Sequence, residues 1–168
     1  MSDLVSTVTE AASARYQGAH LKQFLRGQSF SAATEDIKTF FIELGERLGY
    51  LVSTRGNNRN EWLYDLVWRR ETDGFLTKQA LVLESELRPG PSVAQGALVD
   101  TDFHKLIQAR ALLRVWIAAI SHSQMVVEHR LNCERQIKEF ELSQPGDAYL
   151  FILYDWTKNE ATVSSFIL

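Results

Sequence analysis

The segment ALVLESEL, residues 80–87, carries two carboxylates two positions apart in an otherwise apolar run. Side chains alternate across a strand, so Val82, Glu84 and Glu86 share one face while Leu81, Leu83, Ser85 and Leu87 share the other. The glutamate Cα atoms are then roughly 6–7 Å apart, close enough for both side chains to converge on one cation. A third carboxylate, Asp65, sits in WLYDLVW between Tyr64 and Leu66, where burying an unpaired charge is costly. Joined as an antiparallel hairpin, the two segments place Asp65 beside Glu84. Three carboxylates at adjoining strand positions make a hard-oxygen site suited to magnesium or manganese, which keep several waters and need few protein ligands. The same pattern also fits a half-solvated sheet whose glutamates pair with arginines such as Arg69 or Arg88 and hold no metal.

The elements that must position these residues follow from periodicity. TEDIKTFFIELGERLGY spaces Ile37, Phe40, Phe41, Leu44 and Leu48 as one helical face, with Thr34 as N-cap and Gly49 as terminator, which predicts a helix over 34–48. YLVST predicts a short edge strand, and RGNNRN after it is turn-forming. EWLYDLVWRRE and KQALVLESEL predict an antiparallel hairpin turning near residues 72–74, and the pair is the expected centre of the sheet. RPGPSVAQG reads as loop, VDTDFHKLIQARALL as a helix capped by Asp100 or Thr101, RVWIAAI as a strand, and SHSQMVVEHRLNCERQIKEFEL as a helix ended by Pro145-Gly146. DAYLFILYDW and ATVSSFIL predict a closing hairpin with its turn at Lys158-Asn159. The strand, helix, strand unit in the middle requires a crossover, so the expected fold is α/β, a central mixed sheet flanked by helices. Residues 1–30 are expected as an N-terminal helical segment, one helix ending near Gly27 and docked on the domain or on a partner. Residues 31–168 are expected as a single domain.

Asp65, then Glu84-Ser85-Glu86 on the next strand, then the helix beginning DFHKL and the strand RVWIAAI, resemble the PD-(D/E)XK nuclease superfamily, the restriction endonuclease-like fold. The resemblance spans about residues 34–120, a core of helix, three strands, helix and strand. It implies that Asp65 and Glu84 bind a divalent ion, magnesium or manganese. The superfamily's third motif position is usually lysine. Glu86 stands there in this chain, as in some restriction enzymes, while Lys105 in DFHKL resembles a lysine migrated to the following helix. The resemblance also implies a glutamate from the first helix, for which Glu35, Glu43 and Glu46 are candidates and Glu43 is favoured. The implied activity is metal-assisted hydrolysis of DNA phosphodiester bonds, with Asp65, Glu84, Glu86 and Lys105 catalytic. A homodimer is expected if duplex DNA is cut.

Nucleic-acid affinity comes largely from Lys and Arg contacts to phosphates, and Arg55, Arg59, Arg69 and Arg88 are the candidate rim. Solvated surface arginines explain them equally well. The formal charge of -3 excludes indiscriminate nucleic-acid coating but not a local basic surface. No apolar run reaches membrane-span length and no secretory signal is evident, and the single cysteine, Cys133, fits a reducing cytoplasm and reads as a packing residue. His20, His104, His122 and His129 never combine with Cys133 at zinc spacing, and Trp62, Trp68, Trp116 and Trp156 are assigned to strands and packing. No phosphate-cradling glycine loop is present. Two other readings stay open: a non-catalytic relative of the fold that binds nucleic acid or protein, and an interaction domain dimerising through its N-terminal segment or C-terminal hairpin.

Overall fold

A computed structural model describes residues 2–17, 30–54, 63–87 and 101–168. Helices α1 (Ser2–Tyr16) and α2 (Phe30–Arg47) precede strands β1 (Leu51–Thr54), β2 (Leu66–Thr72) and β3 (Phe75–Glu86). Helix α3 (Thr101–Gln108), strand β4 (Leu113–Ile120), helix α4 (Ser123–Glu139) and strands β5 (Ala148–Asp155) and β6 (Glu160–Ile167) follow. The strands form one six-stranded mixed sheet in sequence order. The pairs β1–β2, β2–β3 and β5–β6 are antiparallel, and β3–β4 and β4–β5 are parallel. Parallel neighbours need a crossover, which α3 and α4 supply. The protein is therefore an α/β protein, and the expected order of helix, three strands, helix and strand is present between Phe30 and Ile120.

The β2–β3 turn falls at Asp73-Gly74, both at positive φ (53° and 79°), a conformation that suits the twist of a two-residue hairpin. Gly49 (φ 78°) ends α2 as expected, with its N–H donating to the Glu46 carbonyl.

Each face of the sheet carries its own core. Leu66, Trp68, Leu81, Leu83, Val115, Leu150 and Ile152 pack against Val5, Val8, Ala12 and Tyr16 of α1 and Ile37, Phe41 and Leu44 of α2. Val67, Val82, Trp116, Tyr149 and Phe151 pack against Phe103, Leu106 and Ile107 of α3 and Val126, Cys133 and Ile137 of α4. Glu84, sharing the parity of Val82, thus lies on the α3 side. Cys133, Trp68 and Trp116 are fully buried packing residues. Among the described residues no helix is long and apolar enough to cross a membrane.

Several expected boundaries move. α1 ends at Tyr16 rather than near Gly27, and it docks on the protein's own strands β5 and β6. Residues 18–29 lie outside the described residues. α2 starts at Phe30, so Thr34 is inside the helix and is not its cap. α3 stops at Gln108 because buried Arg114 takes the Ala109 carbonyl with Nε and Nη2 (3.0 and 2.6 Å), and Leu113 is drawn into pairing with Leu81. α4 ends at Glu139, before Pro145-Gly146, where Phe140 turns extended and packs into the α3-side core. Trp156 leaves its expected strand: it stands in the β5–β6 turn, 41% exposed. Trp62 lies outside the described residues.

Gly45 on α2 sits close against the sheet: a Cβ there would stand 2.5 Å from the Trp68 indole nitrogen and 2.8 Å from a Val52 methyl. The same nitrogen donates to the Phe41 carbonyl at 2.9 Å, so the indole is fixed between both. Gly45→Ala is expected to destabilise the protein by about 1–3 kcal/mol, despite alanine's better helix propensity. Urea unfolding should show the midpoint falling at unchanged slope; an unchanged or higher midpoint would refute the close packing.

Candidate functional site

Glu84 is 3% exposed, in a strand buried on both faces. Its alternation turns it toward α3, whose amphipathic face buries Phe103, Leu106 and Ile107 and leaves Lys105 at the margin of that contact. The Lys105 ammonium stands 3.5 Å from Glu84 Oε1 and 2.6 Å from the Asp102 carboxylate, one helical turn earlier. The longer of these two contacts is the one to the buried acid. Hydrogen bonding to Asp102 is the main influence raising the Lys105 pKa, so this group stays a cation across the neutral range.

Asp65 does not lie within a strand as expected. It occupies a bend before β2, where pairing with β3 has ended at Leu66 opposite Leu83. Its Oδ2 accepts the Ser85 backbone N–H (3.0 Å) and the Ser85 hydroxyl (2.9 Å). The carboxylate thus continues the ladder by one bond where the backbone no longer can. Both bonds use one oxygen, so Oδ1 takes part in neither.

Burial raises the Glu84 pKa to about 8, the charge on Asp65 adds to the rise, and Lys105 only partly opposes it. Tyr64 completes the surroundings: half-buried against the α3-side core, its phenol is pushed up first by burial and then by Glu84. The structure therefore gathers Asp65, Glu84 and Lys105, with Tyr64, Ser85 and Asp102 around them. Glu86 is half-buried, opposite Ala118 of β4. Among the described residues no group of three or more His, Cys, Asp or Glu side chains is drawn together as a metal cage; Asp65 and Glu84 form a pair in that the charge of the first acts on the second. That pair still suits a hard cation that keeps most of its waters, because a buried acid held above its ordinary pKa is relieved by added positive charge.

The other candidates stand apart. Glu43 is exposed on α2, which packs on the opposite face of the sheet through Phe41 and Leu44. Arg69 is engaged with Glu71 (2.6 Å) and with the Ser53 hydroxyl, near the far end of the β2–β3 hairpin. Arg55, Arg59 and Arg88 lie outside the described residues. His104, next to Lys105, turns away to Gln136 (3.1 Å), and buried His129 accepts the Trp116 indole N–H (3.0 Å). Asp102 had a signal in the sequence, three residues before Lys105 in DFHKL. Ser85 had none, since alternation assigns it to the other face.

The ordinary carboxyl value of 4.5, against about 8 when folded, sets a sign for stability. The folded chain binds the extra proton, so the stability due to neutral Glu84 is fully present below about pH 4.5 and is lost as pH rises through about 8. In metal-free buffer, Glu84→Gln is expected to match the parent near pH 5 and exceed it at pH 9 by on the order of 2–4 kcal/mol. Urea unfolding across that range checks it; a variant less stable than the parent at pH 9 would show that the ionised carboxylate is well compensated.

No protein-family model, no curated protein and no solved structure matches the chain.

Proposed function

We propose that the chain is a divalent-metal-dependent nuclease of the restriction endonuclease-like fold, a PD-(D/E)XK relative, hydrolysing DNA phosphodiester bonds with magnesium or manganese. The observation that carries this reading is the placement of the Lys105 ammonium, from α3, at 3.5 Å over the buried Glu84 carboxylate, with Asp65 adding its charge beside it. A cation and two acids converge at the end of two strands from three separate segments of chain. Such convergence with a strongly perturbed carboxyl is a mark of functional sites.

In this proposal Asp65 and Glu84 hold the ion, Asp65 through the oxygen that Ser85 does not engage. When bound, the ion supplies polarisation of a phosphoryl oxygen and a lowered pKa for an attacking water. Lys105, kept cationic by Asp102, serves as an electrostatic group facing charge that builds on the phosphoryl oxygens. A lysine so paired is a poor proton acceptor near neutral pH, which leaves Glu86 as the general base or water-orienting group. Its place two residues beyond Glu84 on the same strand face suits that role. Cutting both strands of a duplex calls for two such sites, hence a homodimer.

A second reading is favoured by one feature. Lys105 already occupies the cation position, and Asp65 already has a structural task at the end of the ladder, as in a non-catalytic relative that binds nucleic acid or protein. One experiment separates the two. Plasmid DNA incubated with the protein and magnesium or manganese is expected to be cut, with Glu84→Ala reducing the rate at least about a thousandfold and Lys105→Ala by about a hundred- to a thousandfold. Calorimetric titration with manganese should show binding that Asp65→Ala weakens. Cleavage unchanged in Glu84→Ala, or no manganese heat with the parent, would favour the non-catalytic reading.

A further inference from the structure

The sheet edge beside the β2–β3 hairpin carries a second chemically distinct feature. β1 pairs with β2 only from Leu66 to Arg69, so the last three residues of β2 run on beyond the end of their neighbour. A groove of about 620 Å³ lies there, lined by Arg69, Arg70, Lys78, Thr72, Thr77 and Glu71, with Gly49 and Leu51 beside them. Its lining holds three cations, two hydroxyls and one carboxylate, on a chain whose formal net charge is -3; alternation sets Arg70 and Thr72 on one face of the strand and Arg69 and Glu71 on the other.

Both guanidinium groups are held before any ligand arrives. Arg69 is fixed by Glu71 at 2.6 Å and by the Ser53 hydroxyl. Arg70 lies over the Tyr50 ring, 4.8 Å from its centroid, and Tyr50 is itself stacked on buried Trp68. Arg70 and Lys78 are register partners across the hairpin, so their positive charges stand side by side. Like charges on adjacent strands repel and cost stability unless an anion lies between or beside them. Arginine, lysine and threonine side chains are the groups that contact nucleic-acid phosphates.

We infer that this groove is a subsite for the phosphodiester backbone of a nucleic acid, gripping the strand away from the carboxylates. The inference rests on the nuclease reading for the identity of the polyanion. Lys78 precedes Glu84 by six residues on β3, roughly 20 Å along the strand. A duplex advances about 3.4 Å per base pair, so one molecule engaging both places needs about six base pairs between them. The subsite fixes register and supplies affinity, and it reads no sequence.

The test measures binding rather than cleavage. Fluorescence anisotropy with a labelled 20-base-pair duplex, in calcium buffer and across a salt series, compares the protein with Arg70→Ala/Lys78→Ala. The double variant is expected to bind about tenfold more weakly at low salt and to lower the slope of log affinity against log salt by about two, one per lost phosphate contact. Circular dichroism of the double variant should match the parent, since both side chains are at the surface. An unaltered slope in the double variant, or no duplex binding by the parent, overturns the inference. An altered slope in a protein that cuts no DNA upholds the groove and removes the nuclease reading instead.

Discussion

Strands β4 and β5 are buried at every position, on both faces. A strand so placed cannot leave a polar side chain to water, and it must be covered by helices above and below. From that constraint follow the two parallel pairings, the crossovers through α3 and α4, and the docking of α1 and α2 on the opposite face. It also sets a standard for each charged residue at the sheet's centre, because an acid or base there must find its partners within the protein.

Asp155 meets that standard, and Arg114 meets it at Nε and Nη2, its Nη1 having no hydrogen-bond partner among the described residues. Arg114, 5% exposed, gives two hydrogen bonds to the Ala109 carbonyl, pairs with Asp147 at 3.1 Å and lies over the Tyr149 ring. Asp155, equally buried, caps the β5–β6 turn by accepting the N–H groups of Thr157 and Lys158. Both charges organise backbone that would otherwise be unsatisfied, and that is a sufficient reason for their presence. Glu84 differs: its ion-pair contact is the 3.5 Å approach of Lys105, and the ammonium is bound more closely to Asp102.

Much of the frame was legible because it depends on local pattern. Alternation in ALVLESEL placed Glu84 on the face away from Leu83, and the Asp73-Gly74 turn, the Gly49 stop and the periodicity of TEDIKTFFIELGERLGY set three elements. What escaped depends on contacts made elsewhere in the chain. α3 reads as longer than it is because the competition for the Ala109 carbonyl comes from Arg114, on a strand whose partner lies some thirty residues back. Asp65 reads as a strand residue because WLYDLVW is apolar, yet pairing ends one residue later and its carboxylate turns to Ser85. Ser85 is paired with Ile117 of β4 and its tie to Asp65 was not legible, because it depends on where the β2 ladder stops. The basic edge of the hairpin was legible as arginines and illegible as a groove, since its shape depends on β1 being shorter than β2.

The charge balance around Glu84 is the remaining argument. Asp65 and Asp102 both raise its pKa and Lys105 alone is set against them, in addition to the cost of burial. A purely structural arrangement is better served by an apolar side chain of similar size, because a buried ion pair seldom exceeds the stability of the hydrophobic contacts that could replace it. Val82, on the same face one alternation earlier, is such an apolar residue in the same core. The position instead holds an acid near neutral ionisation, beside a second acid with one oxygen outside its hydrogen bonds, within reach of a lysine that is anchored from the other side. Under the proposed function, a divalent cation held there would favour the ionised form of Glu84 and offset the charge of Asp65. A carboxyl so perturbed, with a second acid and a lysine beside it, is the physical ground on which the proposed function rests.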